Sequence, residues 1–251
     1  MNNTPDKINM PDLISKLDSF FARNDLQGTE DFLESSLYEA RRLGDWSAEV
    51  SILSEQMGFF RRNNKKEEGL RAVDEGIALI YAHSLQTTVS GGTILLNAAT
   101  TLKAFGEKER SMEVFLVAKA TLEAKLSPTD YRLAGLYNNM ALTLVDLSQY
   151  GEAEEYYFKA LSILEKTDMG QNERAVTYCN MAYMYYNQNP EDDRINEVME
   201  KAEALLEDES VTRDGYYAFT ISKCMSAFEF FGYFLFAERL KKRAEEIYEG
   251  N

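Results

Sequence analysis

The sequence predicts an all-α protein built as an α-solenoid of about six antiparallel helix pairs. Its 251 residues include only 4 prolines and 14 glycines, while alanine, leucine, glutamate and lysine, which favour helices, are plentiful. Small and apolar residues recur at helical spacing, and turn-forming residues interrupt them at intervals. The pattern repeats after about 42 residues, as between Asn97 and Asn139. These observations favour stacked helix pairs and predict no β-sheet.

The first pair is predicted over residues 11–43. Pro11 suits the first turn of a helix that we expect to end near Arg23. Residues 24–28 indicate a turn, and Thr29 is the expected N-cap of the second helix. The small residues of the later pairs are missing here, which is typical of a terminal repeat that faces water on one side.

The second and third pairs are predicted over residues 46–82 and 93–125. The loop of the second pair contains the charged run 61–66, which is more typical of a solvated turn than of a nucleic-acid patch in so acidic a chain. Gly106 marks the turn of the third pair. The third pair aligns without gaps on the fourth, so both are expected to have the same fold.

The last three pairs are predicted over residues 131–166, 172–207 and 213–249. Pro190 begins the turn of the fifth pair, and Gly232 lies in the turn of the sixth. The final helix must cover its own outer side, and charged residues on its opposite face suit that role.

The fourth pair carries the pattern that resembles the tetratricopeptide repeat (TPR), in which residues of fixed size and aromatic character recur on two helices. The matching residues are Tyr137, Met140, Ala141, Leu144, Ala153, Tyr157 and Ala160. The third pair repeats the pattern at Ala98, Ala99, Phe115 and Ala118. HEAT-type repeats have a similar length but lack the spacing of Ala153, Tyr157 and Ala160. The long period resembles the kinesin-light-chain type of TPR.

This resemblance implies a single TPR-like domain over residues 1–251, a right-handed superhelix whose first helices line a concave groove. It also implies a non-enzymatic scaffold that binds a protein or an extended peptide in that groove. The competing hypothesis is a structural adaptor, or a homo-oligomeric assembly protein, that uses the ends of the helix pairs and the convex face.

The residues expected to line the groove occupy the exposed positions of the first helices. They are Asn97, Lys103, Asn138, Asn139, Leu142, Asn180, Tyr183, Tyr186 and Lys223. An amide donates and accepts hydrogen bonds, so a row of asparagines one repeat apart can pair with a peptide backbone. The long-repeat TPRs that the chain resembles use asparagine in this way. The alternative is that each asparagine bonds a neighbouring helix and only shapes the scaffold.

Two further features of the first helices do not determine which ligand binds. Tyr183 and Tyr186 can stack on a side chain of a bound peptide or pack on the next repeat. The carboxylate-clamp TPRs, which hold chaperone C-termini, require lysine at a first-helix position. This chain has Leu96, Asn138 and Cys179 at the corresponding places, so that specificity is not expected.

Six aromatic residues crowd the turn of the sixth pair between Phe228 and Phe236. A single two-helix core cannot bury all of them, because helical geometry spreads them around the axis. Phe230, Phe231 and Phe234 are therefore candidates for a homodimer or partner interface. The alternative is that they seal the end of the superhelix.

Charge and the remaining motifs narrow the function classes. The net charge of −15 opposes binding to a phosphate backbone, so nucleic acid is not an expected partner. No apolar run is long enough for a membrane span and the N-terminus has no secretory pattern, so we expect a cytoplasmic protein without a membrane partner. Cys179 and Cys224 have no metal-ligand spacing, and His83 lies in a linker without catalytic neighbours. We therefore expect no catalytic or metal site and no cofactor.

Overall fold

A computed structural model describes residues 7–167 and 170–250, and all regular structure within them is helical. About 82% of the described residues are helical. The described residues form twelve α-helices: α1 (Met10–Ala22), α2 (Leu26–Leu43), α3 (Trp46–Arg62), α4 (Lys66–Ala82), α5 (Val89–Ala104), α6 (Lys108–Lys125), α7 (Tyr131–Asp146), α8 (Tyr150–Leu164), α9 (Gly170–Gln188), α10 (Arg194–Glu207), α11 (Gly215–Phe230) and α12 (Phe234–Glu249). A short 3-10 turn, Leu85–Thr87, precedes α5. The predicted all-α fold of successive helix pairs is confirmed.

The chain divides into two compact units, unit 1 over Met1–Lys125 and unit 2 over Leu126–Asn251. Each unit contains three successive helix pairs, in which an odd-numbered first helix packs against the even-numbered second helix that follows it. First helices of neighbouring pairs also touch, as α3 touches α5 in unit 1 and α9 touches α11 in unit 2. A side chain on one first helix can therefore reach the next first helix in its unit. The prediction of one domain over residues 1–251 stays a prediction.

The sharp turn within most pairs depends on one residue in the left-handed region. The φ angles are +51° at Asn24, +54° at Asn64, +85° at Gly106, +61° at Ser148 and +87° at Gly232. Glycine adopts this conformation without a steric penalty and asparagine tolerates it, so both residue types suit the turn. This repeated turn reverses the chain within three residues and sets the second helix antiparallel to the first.

The second helix of the first pair begins earlier than the sequence predicted. Residues 24–28 are not all a turn, because α2 starts at Leu26 and its N-cap is Asp25, whose carboxylate accepts a hydrogen bond from the Gly28 amide at 2.9 Å. Thr29 is fully buried inside the helix, and its hydroxyl donates to the Asp25 carbonyl at 2.7 Å. The predicted N-cap at Thr29 is therefore wrong. Aspartate is the stronger cap, and threonine within a helix bonds a carbonyl one turn earlier.

The residues that carry the TPR resemblance are core residues in both units. The four motif residues of the third pair and their equivalents in the fourth pair are all 0% exposed: Ala98, Ala99, Phe115 and Ala118, and Met140, Ala141, Tyr157 and Ala160. Small residues at these places let the two helices of a pair approach closely around one large aromatic ring. The motif therefore determines the packing of each pair and leaves the outer positions of the first helices free to vary.

Candidate functional site

The candidate site is built from one equivalent position on successive first helices. These positions, called here the first-helix row of their unit, hold Glu55 on α3 and Asn97 on α5 in unit 1, and Asn139 on α7, Asn180 on α9 and Lys223 on α11 in unit 2. The three asparagines and Glu55 are half-buried, and Lys223 is exposed. Glu55 belongs to the row because it lies 42 residues before Asn97. It was not among the site residues predicted from the sequence. Burial raises the pKa of its carboxyl.

Asn97 is fully used by hydrogen bonds within unit 1. Its Nδ2 donates to the carbonyl oxygen of Ser54 at 2.7 Å and to the Ser54 hydroxyl at 3.1 Å. Its Oδ1 accepts a hydrogen bond from Nη1 of Arg61 at 2.9 Å. Both partners lie on α3, so this amide joins two first helices. Replacing any of these bonds by a ligand contact would leave a half-buried polar group unpaired.

Arg61 completes that connection between α3 and α5. The same Nη1 donates to the hydroxyl of Thr101 at 3.1 Å, and Thr101 is fully buried. Burial, with a smaller contribution from the neighbouring charge of Arg62, lowers the pKa of the Arg61 guanidinium. Arg62 itself lies over the ring of Phe21. Arg61 therefore serves the scaffold of unit 1, while the exposed Arg62 contacts an aromatic ring. Lys103 is half-buried near the end of α5 and is also engaged in an interaction.

Asn138 also serves the scaffold, in unit 2. Its Nδ2 donates to the hydroxyl of Thr177 at 2.9 Å, which links α7 to α9. Thr177 is fully buried and donates in turn to the Glu173 carbonyl. The Oδ1 of Asn138 is buried and has no hydrogen-bond partner within the described part of the chain. Asn138 is therefore oriented by the scaffold, with one acceptor left over.

The side chains of Asn139 and Asn180, unlike those of Asn97 and Asn138, make no hydrogen bond to another helix within the described residues. Asn139 donates from Nδ2 to the Gly135 carbonyl of its own helix at 2.9 Å. Asn180 makes no hydrogen bond through its side chain within residues 7–167 and 170–250. Leu142, one turn beyond Asn139, is half-buried. These two amides keep donor and acceptor capacity at equivalent positions of α7 and α9.

Lys223 occupies the same position on α11. It lies 43 residues after Asn180, and 43 residues also separate Glu173 and Tyr216, whose side chains are hydrogen-bonded between the first turns of α9 and α11. The Nζ of Lys223 lies 4.2 Å from the ring centroid of Phe219, which is 50% exposed. In unit 2 the first-helix row thus consists of two amides followed by a cation on an exposed aromatic ring.

Tyr183 and Tyr186 pack on the next pair through an aromatic cluster, defined here as these two tyrosines with Phe230 and Phe231. The Tyr183 ring centroid lies 5.5 Å from Phe230 and 5.2 Å from Phe231. Tyr186 lies 4.9 Å and 5.9 Å from the same two rings. Both tyrosines are half-buried, while Phe230 is 53% exposed. The cluster therefore joins α9 to α11 and still presents an aromatic surface.

The aromatic residues around the last turn fall into buried and exposed sets. Phe228 and Phe236 are buried against each other with ring centroids 4.6 Å apart. Phe234 is 67% exposed, and its neighbour Leu235 is the most exposed of the described large apolar side chains at 79%. The expectation that one helix pair cannot bury all six aromatics is confirmed. Leu235 was missed, because helical periodicity breaks down at a helix start.

The remaining reactive residues are embedded in packing. His83 is exposed and stacks on Trp46, with ring centroids 4.2 Å apart and planes 12° from parallel. Hydrogen bonding to Cys224, and then burial, raises the pKa of the buried Cys179 thiol. Among the described residues, no group of three or more histidine, cysteine or carboxylate side chains is placed to hold a metal ion. The described helices also include none with the length and apolarity needed to cross a bilayer.

Comparison with known proteins identifies the type of fold. No family model matches the sequence, and no curated protein does. Among solved structures, the chain is similar to BtubC (BKLC) from P. vanneervenii, with 21% identity over 90% of this chain and 91% of that chain and a TM-score of 0.61. It is also similar to the nearly identical TPR-like repeats of a Podosopora anserina protein of kinesin-light-chain type, with 14% identity over 79% and 94% of the two chains and a TM-score of 0.58. A variant of that protein gives 14% identity, coverage of 79% and 93%, and a TM-score of 0.59. The chain has the helical-repeat fold of these TPR-like proteins.

Proposed function

We propose that this protein is a non-enzymatic scaffold that holds an extended segment of a partner protein along the first-helix row of unit 2. The observation that carries the proposal concerns equivalent positions of α7 and α9: Asn139 bonds only its own helix, and Asn180 makes no side-chain hydrogen bond within the described residues. Each amide can donate to a carbonyl and accept from an amide of the same peptide. Their spacing by one repeat suits a segment that runs across successive first helices.

The surroundings of the two amides support a peptide rather than a small molecule. Leu142 and the aromatic cluster flank the row with apolar surface, and Lys223 continues it with a positive charge. Backbone pairing supplies affinity that is independent of sequence, while these flanking groups select side chains. Asn97 and Asn138, which bond neighbouring first helices, have a supporting role in this proposal.

The alternative function is a structural adaptor or homo-oligomer that assembles through its ends. Phe230 and Phe234 are exposed, Phe231 is half-buried, and the adjacent Leu235 enlarges the apolar surface. Contiguous exposed apolar side chains of this kind commonly mark an interaction surface. Sedimentation of a Phe230→Glu, Phe234→Glu variant beside the parent chain tests it. A parent dimer that the variant loses supports this function, and a monomer in both forms excludes dimerisation there.

The groove proposal is tested by partner capture from an extract of the native host. The Asn139→Ala, Asn180→Ala variant is compared with the parent and with a control, Gln149→Ala, Gln188→Ala, which removes two exposed side-chain amides outside the row. We expect the asparagine variant to lose the captured partner and the glutamine variant to keep it. Unchanged capture by the asparagine variant, with its helix content intact by circular dichroism, contradicts the proposal.

The remaining sequence expectations belong to the same proposal. A net charge of −15 disfavours nucleic acid as the partner. The scaffold is taken to act in the cytoplasm, without a catalytic step and without a cofactor. Each of these stays a prediction.

A further inference from the structure

A cavity of about 440 Å³ opens in unit 2 between the loop that follows α9 and the end of α11. It combines an aromatic wall with an acidic wall. The aromatic wall consists of Tyr186, Phe230 and Phe231, and the acidic wall consists of Glu191, Asp192 and Asp193. We call it the aromatic–acidic cavity. Both walls belong to unit 2, so the cavity is complete within that unit.

The aromatic wall is held in a fixed arrangement by its own rings. The planes of Tyr186 and Phe230 cross at 89°, those of Tyr186 and Phe231 at 73°, and those of Phe230 and Phe231 at 89°. Edge-to-face contacts of this kind stabilise aromatic groups at ring separations near 5 Å. Because Phe230 is half exposed, the cluster leaves aromatic surface uncovered at the cavity. A ring face attracts a cation through its quadrupole.

The acidic wall carries two carboxylates without a cation. Asp192 is neutralised by Arg194, whose Nη2 lies 2.8 Å from the aspartate oxygen and whose Nη1 also reaches Glu154 at 2.9 Å. Hydrogen bonding to Arg194 lowers the pKa of Asp192. Glu191 and Asp193, in contrast, form no ion pair with any residue of the described ranges. Two acidic residues without an ion-pair partner in the described part of the chain therefore line the same cavity as the aromatic rings.

We propose that the aromatic–acidic cavity binds the guanidinium group of an arginine in a basic segment of the partner protein. A guanidinium is planar, so it can lie on an aromatic face while its N–H groups donate to carboxylates, whereas an ammonium is a more strongly hydrated point charge. The net charge of −15 favours a basic segment over an acidic one. The inference rests on the proposed scaffold function and adds the chemistry of the partner: arginine beside an extended stretch.

The test uses the full chain and a fluorescein-labelled peptide with two arginines between glycine and serine spacers. A matched peptide carries citrulline, which keeps the shape and loses the charge, and a third carries lysine. We expect the arginine peptide to bind the parent chain at least about tenfold more tightly than the citrulline peptide and several-fold more tightly than the lysine peptide. Equal binding of arginine and lysine peptides overturns the assignment to a guanidinium.

Charge-matched variants separate a defined site from general attraction to an acidic protein. Glu191→Gln, Asp193→Asn removes both uncompensated charges of the cavity, while Glu152→Gln, Glu155→Gln removes two charges on α8, outside the cavity. We expect a loss of about tenfold for the cavity variant and less than about threefold for the control. Equal losses in both variants indicate diffuse attraction and overturn the proposal.

A further variant in the same experiment tests the aromatic wall. Phe230→Leu keeps the charge and the apolar character but removes the ring, so we expect arginine-peptide affinity to fall by about threefold to fivefold. Unchanged affinity removes the aromatic wall from the proposal. The Asn139→Ala, Asn180→Ala variant keeps the preference for the arginine peptide over the citrulline peptide, because backbone pairing at the row does not depend on that side chain. The two proposals can therefore fail separately. If the cavity variants bind the arginine peptide as the parent does, while the asparagine variant loses the host partner, this inference is rejected and the proposed function is retained.

Discussion

The first-helix row differs between the two units even though both contain asparagine at the same repeat position. In unit 1, Asn97 exchanges three hydrogen bonds with Ser54 and Arg61 of the preceding first helix. In unit 2, Asn180 makes none within the described residues, and Asn139 bonds only its own helix. A repeated residue therefore does not imply a repeated role.

The difference follows from what the preceding first helix offers. Arg61 on α3 corresponds to Lys103 on α5 and Val145 on α7, at successive intervals of 42 residues. Valine has no donor, so α7 leaves the oxygen of Asn180 on α9 unpaired at the place where Arg61 serves Asn97. The same amide thus acts as a connector after an arginine and remains free after a valine.

The largest effect is expected for Asn97→Ala, which breaks the connection in unit 1. The change leaves the Ser54 carbonyl and the Arg61 guanidinium without this partner, so we expect a loss of about 2–3 kcal/mol in the free energy of unfolding. The single tryptophan of the chain, Trp46, lies in unit 1 and reports its unfolding by urea through fluorescence. Asn180→Ala in unit 2 should cost less than about 0.5 kcal/mol by circular dichroism. Equal losses at the two positions contradict the comparison.

Arg61→Met tests which half of the connection dominates. The variant loses the hydrogen bonds to Asn97 and Thr101, but it also removes a charge that burial disfavours, as the lowered pKa of the guanidinium indicates. These effects oppose each other, so we expect a loss of about 1 kcal/mol, smaller than that of Asn97→Ala. Urea unfolding of the two variants in parallel gives the order. A larger loss for Arg61→Met means that the arginine, and not the amide, organises this part of unit 1.

Alanine substitutions at two helix glycines test how crowded each unit is, and the expected changes in the free energy of unfolding are smaller. A Cβ at Gly69 of unit 1 would lie 2.5 Å from a ring carbon of Phe105, whereas a Cβ at Gly135 of unit 2 would meet nothing within 4 Å. Gly69→Ala should lower the free energy of unfolding by about 1 kcal/mol, because ring displacement outweighs the gain in helix propensity. Gly135→Ala should raise it by about 0.5–1 kcal/mol. Destabilisation by Gly135→Ala would show that the surface one turn before Asn139 is closed.

The sequence predicted the helix pairs because packing depends on residue size, and size recurs visibly at Ala98 and Phe115 or Met140 and Tyr157. It failed at the start of α2, where Asp25 and Thr29 are both credible caps and only the course of the backbone decides between them. It left two alternatives at each asparagine. The sequence could not resolve them, because the deciding partner of Asn97 lies 36 residues away on another helix.

The aromatic residues show the same limit. Counting rings predicted that some must be exposed, and Phe230 and Phe234 are. It could not predict that Tyr186 would meet Phe230 and Phe231, since that contact depends on how α9 and α11 are rotated about their axes. In the sequence, the loop acids beside these rings indicate only a turn, and their place in the cavity follows from the packing of the two helices.

The most direct test of the central proposal measures peptide binding to unit 2 and does not require the natural partner to be identified. Peptides of about 12 residues are selected from a displayed random library on the full chain, and their affinities are measured by calorimetry. We predict a loss of at least about tenfold for the Asn139→Ala, Asn180→Ala variant and of less than about twofold for Asn97→Ala at a temperature where it stays folded. Failure to select any peptide, or equal affinity for the parent and the Asn139→Ala, Asn180→Ala variant, contradicts the proposal that the first-helix row of unit 2 binds an extended segment.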